Sequence, residues 1–423
     1  MCLALVMGNM IGSGVFLLPA SLAPFGWNAV AGWIVTIAGA LVLAYLLVRL
    51  TRALPAEPDA VGLVRRSLGP TPGFMIGWSY WVSVWTANVT LAVACVSNFS
   101  VLAPGFSTVP FAPAMAALAL IWALTLVSLK GAQAAGGLQV ATLLLKLIPL
   151  VVVSVIIALV LARSGVAEVA PFPDGGLTLG AVGASATLTL WALLGFESAS
   201  IVGGKVDNPE KTIARATMVG TAATGLVYLI VCSGIALMLP VAIASASDAP
   251  FATFVERYWA REPALLVAAF AGIAALGALN GFILLQGEVP LAMVHAGTLP
   301  RWFGKINGKD APTRALILSS LLASVLLLAN SSRSMGSLFT LMALLSTSAT
   351  LWLYLAIAIA AAKHRIALPL ALIGIAYALW TMWGAGIQVS LLSLALMVSG
   401  LPLYFLARRS AAAEQASHQR AIG

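Results

Sequence analysis

The stretch Gly8-Asn9-Met10-Ile11-Gly12-Ser13-Gly14-Val15-Phe16-Leu17-Leu18-Pro19 decides how this chain is read. It lies in a hydrophobic segment suited to a membrane helix, yet glycines interrupt its middle and a proline follows. Glycine frees the backbone, and unwound backbone at membrane depth survives only where it faces protein or a wet cavity. A simple anchor has no use for such a break. A second candidate break lies far downstream, at Leu194-Gly195-Phe196-Glu197-Ser198. Interrupted hydrophobic segments in corresponding positions of two halves are the sequence sign of a transporter's binding site.

Composition sets the class. Of 423 residues, 61% are hydrophobic and 8% charged, and the mean hydropathy is +1.04. A soluble domain carries about 25% charged residues. The chain is therefore an all-α, polytopic membrane protein with the lipid bilayer as its surroundings. Cys2, Cys95 and Cys232 lie in apolar stretches without paired spacing. They indicate no disulfide framework, metal site or cofactor. The net charge of +9 is a topology signal rather than one for nucleic acid.

Hydropathy gives twelve candidate spans, near 1–20, 27–49, 73–102, 111–129, 138–162, 179–204, 215–240, 262–295, 313–330, 335–361, 367–386 and 388–407. Each is close to the length that crosses about 30 Å of hydrocarbon. With the N-terminus inside, every Lys and Arg falls on the cytoplasmic side except Arg163, Arg257, Arg261, Arg333 and the in-span Lys146. That asymmetry supports both the span count and cytoplasmic termini. The first span opens at Met1 without a basic n-region, so a start upstream of Met1 is expected rather than a cleaved leader. One transporter domain is expected over 1–408, followed by a polar cytoplasmic tail at 409–423. No repeat is visible in the sequence itself.

Three charges fall inside spans: Lys146, Glu197 and Glu288. Ionisable groups at membrane depth are costly, and they mark ion or substrate pathways by default. Glu197 follows the second break, where it suits a proton-linked gate or a partner for a cation. The plain alternative is a structural carboxylate bonded to freed backbone N–H. Lys146 has the charge to replace a coupling cation by donating to the carbonyls of a broken helix, or it pairs with a buried carboxylate. Glu288 precedes Pro290 near the cytoplasmic end of the eighth span, where a wet or paired charge is equally natural.

The third span contributes polar and aromatic residues. Tyr80, Val84, Ala87, Asn88 and Leu91 share one helical stripe by their spacing, with Ser83 beside them. Asn88 fits two roles, bonding a substrate head group or tying helices together, the common fate of a membrane asparagine. Trp191 stands one turn before Gly195, placed to stack on a flat or cationic group or simply to fill volume.

The first-break stretch, together with Leu190-Trp191-Ala192-Leu193-Leu194-Gly195-Phe196-Glu197-Ser198-Ala199 and Val206-Asp207-Asn208-Pro209-Glu210, resembles the first and sixth helices of the amino acid–polyamine–organocation transporters. The resemblance runs from residue 4 to about 408. It looks closest to the basic amino acid/polyamine antiporters, the arginine/agmatine group among them. It implies twelve helices with broken helices 1 and 6. The first inverted repeat would span about 1–163 and the second about 179–361, with two additional C-terminal helices over 367–408. It places a substrate site at the breaks, on Asn9, Met10, Gly12, Ser13 and Gly14. The substrate carboxylate would meet N–H groups at Ser13 and Gly14, where a half-helix N-terminus presents free donors. The ammonium would meet carbonyls of Met10, Trp191 and Leu194. Trp191 would stack on the substrate, Asn88 would touch its distal group, and Ser346 would add a polar contact. Tyr80, Glu197 and Tyr354 would gate the site. By analogy with related exchangers, a homodimer and a bacterial inner-membrane location are implied.

Two positions depart from the antiporter pattern. A second substrate-packing aromatic is tryptophan there and Phe282 here, a poorer face for a cation. Lys146 has no counterpart in the arginine/agmatine group, yet proton-coupled relatives carry a lysine in the place that a sodium ion takes in distant cousins. Asn88, Trp191, Phe282 and Glu197 together suit a long cationic substrate, so the expected function is exchange of a basic amino acid for its amine. The alternative is a proton-coupled carrier of neutral amino acids with Lys146 as the titrating group. An integral-membrane enzyme is disfavoured, because His295, His364 and His418 form no clustered acid–base set with carboxylates. A transporter-like receptor lacks a large soluble domain through which to signal.

Overall fold

A computed structural model describes residues 10–12, 14–55, 59–103, 105–106, 109–131, 145–196 and 209–408, with side chains from 214 onward in the last stretch. The expectations for Asn9, Ser13, Glu197 and the tail at 409–423 lie outside the described residues.

The described chain is helical, with one isolated β-bridge between Ile306 and Pro312. The helices are α1 (Leu18–Leu22), α2 (Trp27–Ala53), α3 (Ala60–Leu68), α4 (Pro70–Ser100), α5 (Ala112–Ser128), α6 (Leu147–Ser164), α7 (Leu179–Leu193) and α8 (Pro209–Met238). They continue with α9 (Val241–Ala246), α10 (Pro250–Tyr258), α11 (Arg261–His295), α12 (Thr313–Ala329), α13 (Met335–Lys363), α14 (Leu368–Gly384) and α15 (Ile387–Val398). Among the described residues, 7 helices are long and apolar enough to cross a bilayer, and α5, α7, α12 and α14 are shorter apolar helices. Each lies on a stretch expected as a span.

Long apolar runs form helices here because hydrocarbon leaves backbone groups no partner except one another. Local chemistry sets the ends. Asp59 caps α3 by accepting from Gly62 N at 2.8 Å, and Ser334 caps α13 by accepting from Ser337 N at 3.3 Å. The expected span at 138–162 appears as α6 starting at Leu147, with residues 132–144 outside the described set. Pro290 sits inside α11 without ending it.

Burial separates scaffold from periphery. The apolar window of α4 is 94% buried, whereas that of Ile387–Arg408 is 22% buried. A helix apolar on every side and buried on every side is a central one. It is α4, packed against α11 and α13. Exposed Val151, Leu372 and Leu391 belong to the outer helices and face lipid. Hydroxyl groups join the layers. Thr36 of α2 donates to the Ala186 carbonyl of α7 at 3.1 Å and meets Thr189 at 2.7 Å. Ser79 of α4 donates to the Ala349 carbonyl of α13 at 2.8 Å. Such contacts hold membrane helices where no hydrophobic difference between protein and lipid does so.

Candidate substrate site

At both expected positions the described backbone departs from helical geometry. At the first, Gly12 has φ +117° and Gly14 φ +86°, a region open to glycine and strained for any side chain. Tight bonds follow, Leu17 N to Gly14 O and Leu18 N to Val15 O, each 3.2 Å, before α1 begins. At the second, α7 stops at Leu193, Leu194 turns extended with ψ 144°, and Gly195 takes φ +105°.

The surroundings explain why glycine stands at the first break. A methyl group on Gly12 would lie 2.8 Å from the Ala274 carbonyl oxygen and 3.2 Å from Ala278 Cβ, both on α11. A methyl group on Gly14 would lie 2.8 Å from Phe339 Cε2 and 3.1 Å from Trp191 Nε1. The two breaks therefore meet: Gly14 of the first touches Trp191 at the end of α7. Trp191 is fully buried, and its indole N–H has no hydrogen-bond partner among the described residues. A buried donor without a partner is costly unless something else receives it.

The Met10 carbonyl accepts from the Tyr228 hydroxyl of α8 at 3.0 Å. Tyr228 packs its ring on Trp33 at 5.8 Å. Neither Tyr228 nor Phe339 was singled out from sequence. A tyrosine in an apolar span is itself a signal, because its hydroxyl needs a buried partner. Phe339 leaves no signal of that kind.

The residues expected to form a gate lie in different surroundings. Tyr354 of α13 is fully buried and stacks on Phe196, next to the second break, with centroids 4.8 Å apart and planes at 20°. Tyr80 is half-buried, and its carbonyl accepts from Ser83 Oγ at 2.7 Å. Ser346 donates to the Ser83 carbonyl at 2.8 Å, which ties α13 to α4 at the expected site. Val84 and Leu91 are buried on α4.

Asn88 takes part in helix-to-helix bonding, one of its two expected roles. Its amide nitrogen donates to Gln286 Oε1 of α11 at 2.7 Å, while its Oδ1 has no partner among the described residues. Gln286 is fully buried and was also missed. An uncharged polar residue two positions before Glu288 in an apolar span was the available sign. Phe282 is half-buried one turn before Gln286. Lys146 stands in the turn immediately before α6 with its side chain 1% exposed, and Glu288 is half-buried toward the far end of α11.

A cavity of about 280 Å³ lies beyond Asn88 toward the end of α4, with Val93, Phe111, Asp248, Arg333 and Leu338 among its lining. The Asp248 carbonyl accepts from Ser97 Oγ at 2.6 Å. Desolvation holds the Asp248 carboxyl above the usual carboxylate range. Among the described residues, no cluster of His, Cys, Asp or Glu is arranged to hold a metal ion.

The amino acid permease family matches this chain over residues 2–413. The chain is 32% identical over 333 residues to a cadaverine/lysine antiporter of Escherichia coli strain K12, covering 77% of this chain and 73% of that protein. It is 29% identical over 413 residues to the putrescine transporter PotE of Haemophilus influenzae, covering 95% and 94%. Against PotE of Escherichia coli strain K12 it is 26% identical over 418 residues, with coverage again 95% and 94%.

Proposed function

We propose a specific exchange for this chain, which belongs to the amino acid permease family of the amino acid–polyamine–organocation superfamily. It is a multi-pass membrane transporter and not an enzyme. The proposed reaction swaps a basic amino acid for its related amine by alternating access. The observation that carries this reading is the meeting of Gly14 with Trp191. Two interrupted segments from distant parts of the chain converge on a fully buried tryptophan whose N–H is unpartnered among the described residues.

The chemistry follows from the breaks. Backbone N–H groups at Ser13 and Gly14 offer donors for the substrate carboxylate, at the positive end of a half-helix. Carbonyls of Met10, Trp191 and Leu194 offer acceptors for its ammonium. The Met10 carbonyl is held in place by the Tyr228 hydroxyl at 3.0 Å. The Trp191 face supplies cation–π attraction. Tyr80, Glu197 and Tyr354 form the gate. The relatives named for cadaverine, lysine and putrescine support a long basic substrate.

The wider architecture is part of the same proposal. It has twelve spans, repeats over about 1–163 and 179–361, two further helices over 367–408, and both termini cytoplasmic in a bacterial inner membrane. A second reading, proton-coupled carriage of neutral amino acids, draws on the near-complete burial of Lys146, because buried ionisable groups mark proton pathways. A thermal-shift panel on the purified protein separates the two substrate classes, since a ligand that binds the folded state raises its apparent stability. Lysine, ornithine, arginine and their decarboxylated amines are expected to stabilise it. Stabilisation by alanine or leucine, with none by the basic compounds, would replace the first reading with the second.

A further inference from the structure

A run of buried polar groups crosses four helices, and its hydrogen positions follow from its far end. Thr125 of α5 donates to the Ile121 carbonyl at 2.6 Å, and a carbonyl only accepts. The single hydroxyl proton of Thr125 is thus committed. At the 2.7 Å contact between Thr125 and Ser320 of α12, Ser320 is therefore the donor. With its own proton committed, Ser320 accepts from Gln286 Nε2 of α11 at 2.8 Å. The same nitrogen also points at the Leu316 carbonyl, 3.4 Å away, a second group that only accepts. Gln286 must then present Oε1 to α4, where it receives Asn88 Nδ2 at 2.7 Å. Each choice forces the next, and the last one leaves Asn88 Oδ1 as the amide atom that Gln286 does not engage. That oxygen is buried and has no partner among the described residues.

We infer that Gln286 is a positioning residue that turns the Asn88 carbonyl oxygen, rather than its amide N–H₂, toward the ligand, so that the site selects substrates whose distal end donates hydrogen bonds. The inference rests on the proposed basic-substrate reading and adds the device that enforces it. An asparagine free to rotate would accept either a donor or an acceptor by turning its amide over. Here the amide is held on one side by Gln286, which is held in turn by Ser320 and Leu316. Trp81 steadies the same junction by donating to the Gln286 backbone carbonyl at 3.1 Å and to Ser319 Oγ at 2.8 Å. A buried acceptor left open is costly, and a distal ammonium relieves that cost while an alkyl end does not. Sites built to hydrogen-bond a group reject the analogue that lacks it much more strongly than apolar pockets reject an extra methylene.

The test is a selectivity ratio, because a merely structural loss weakens both ligands alike. Dissociation constants of the full-length purified protein are measured for 1,5-diaminopentane and for 1-aminopentane, which differ in the distal ammonium. The wild type is expected to prefer the diamine by at least tenfold. Gln286→Leu is expected to bring the two within about threefold of each other while the protein stays monodisperse. Gln286→Met, of nearly the same volume, gives the same reading if the leucine variant does not fold. Asn88→Leu, which removes the acceptor itself, is expected to flatten the ratio equally. A wild-type preference for the diamine that survives in folded Gln286 variants overturns the positioning role and leaves the exchange reading standing. A wild type indifferent to the second ammonium overturns both.

Discussion

The two helix breaks reach the same end by different means. The first uses two left-handed glycines, and one of them, Gly12, is closed in by backbone, the Ala274 carbonyl of α11. The second uses an extended leucine, Leu194, and one left-handed glycine, Gly195, at the end of a fully packed helix. At Gly14 the crowding comes from the rings of Phe339 and Trp191 instead. Backbone cannot step aside, whereas a ring can turn. Gly12 is thus closed in by the backbone of α11, the less yielding neighbour, and Gly14 by aromatic rings, the more yielding one.

The largest expected effect is Gly12→Ala. It combines a side chain in a glycine-only conformation, about 1–3 kcal/mol, with overpacking against backbone, about 1–3 kcal/mol more. Thermal unfolding in detergent is expected to show a clear loss of stability and little correctly folded protein. Gly14→Ala is expected to cost less, because ring rotation relieves part of the clash. Equal losses at the two positions would break the contrast between the less and the more yielding neighbour.

Trp191→Leu comes next. It removes a fully buried indole, with a stability loss of about 2 kcal/mol. It is also expected to weaken binding of a cationic ligand by about 1–2 kcal/mol if a desolvated cation stacks there. Calorimetric titration with 1,5-diaminopentane checks the second figure. Undiminished affinity would remove Trp191 from the site and leave it as packing. Tyr228→Phe is smaller. It deletes the hydroxyl that bonds the Met10 carbonyl and is expected to cost about 1 kcal/mol of stability. Its ring contact with Trp33 is retained, so a much larger loss would show that the hydroxyl does more than hold the first break.

Asp248→Asn is a control away from both breaks. With its carboxyl held above the ordinary aspartate value by desolvation, the folded state binds the proton more tightly than the unfolded one. Stability then falls as pH rises from that ordinary value through the raised one. The substitution is expected to flatten this limb, with a change below about 1 kcal/mol. Melting temperature measured against pH in wild type and variant checks the sign. A wild-type limb that rises with pH there would reverse it.

Much of the fold was legible in the chain, and for identifiable reasons. Apolar runs of membrane length set the helices, and glycines inside them flagged both breaks because little else tolerates positive φ at that depth. Trp191, Ser346 and Tyr354, expected at the site through resemblance, lie against the breaks or α4. The polar run from Asn88 through Gln286 and Ser320 to Thr125 was not legible. Its members sit on four helices far apart in sequence, and periodicity along one helix says nothing about which partner another helix brings. Phe339 was invisible because an apolar residue in an apolar span carries no mark of what it touches.

The central claim, obligate exchange at the two breaks, is tested most directly by counterflow against a pH jump in the same proteoliposomes. Vesicles loaded with unlabelled lysine or 1,5-diaminopentane are expected to take up labelled lysine rapidly with no pH gradient, and empty vesicles to take up almost none even when a pH gradient is imposed. Uptake into empty vesicles driven by the pH jump alone would contradict exchange and return Lys146 to the centre of the mechanism.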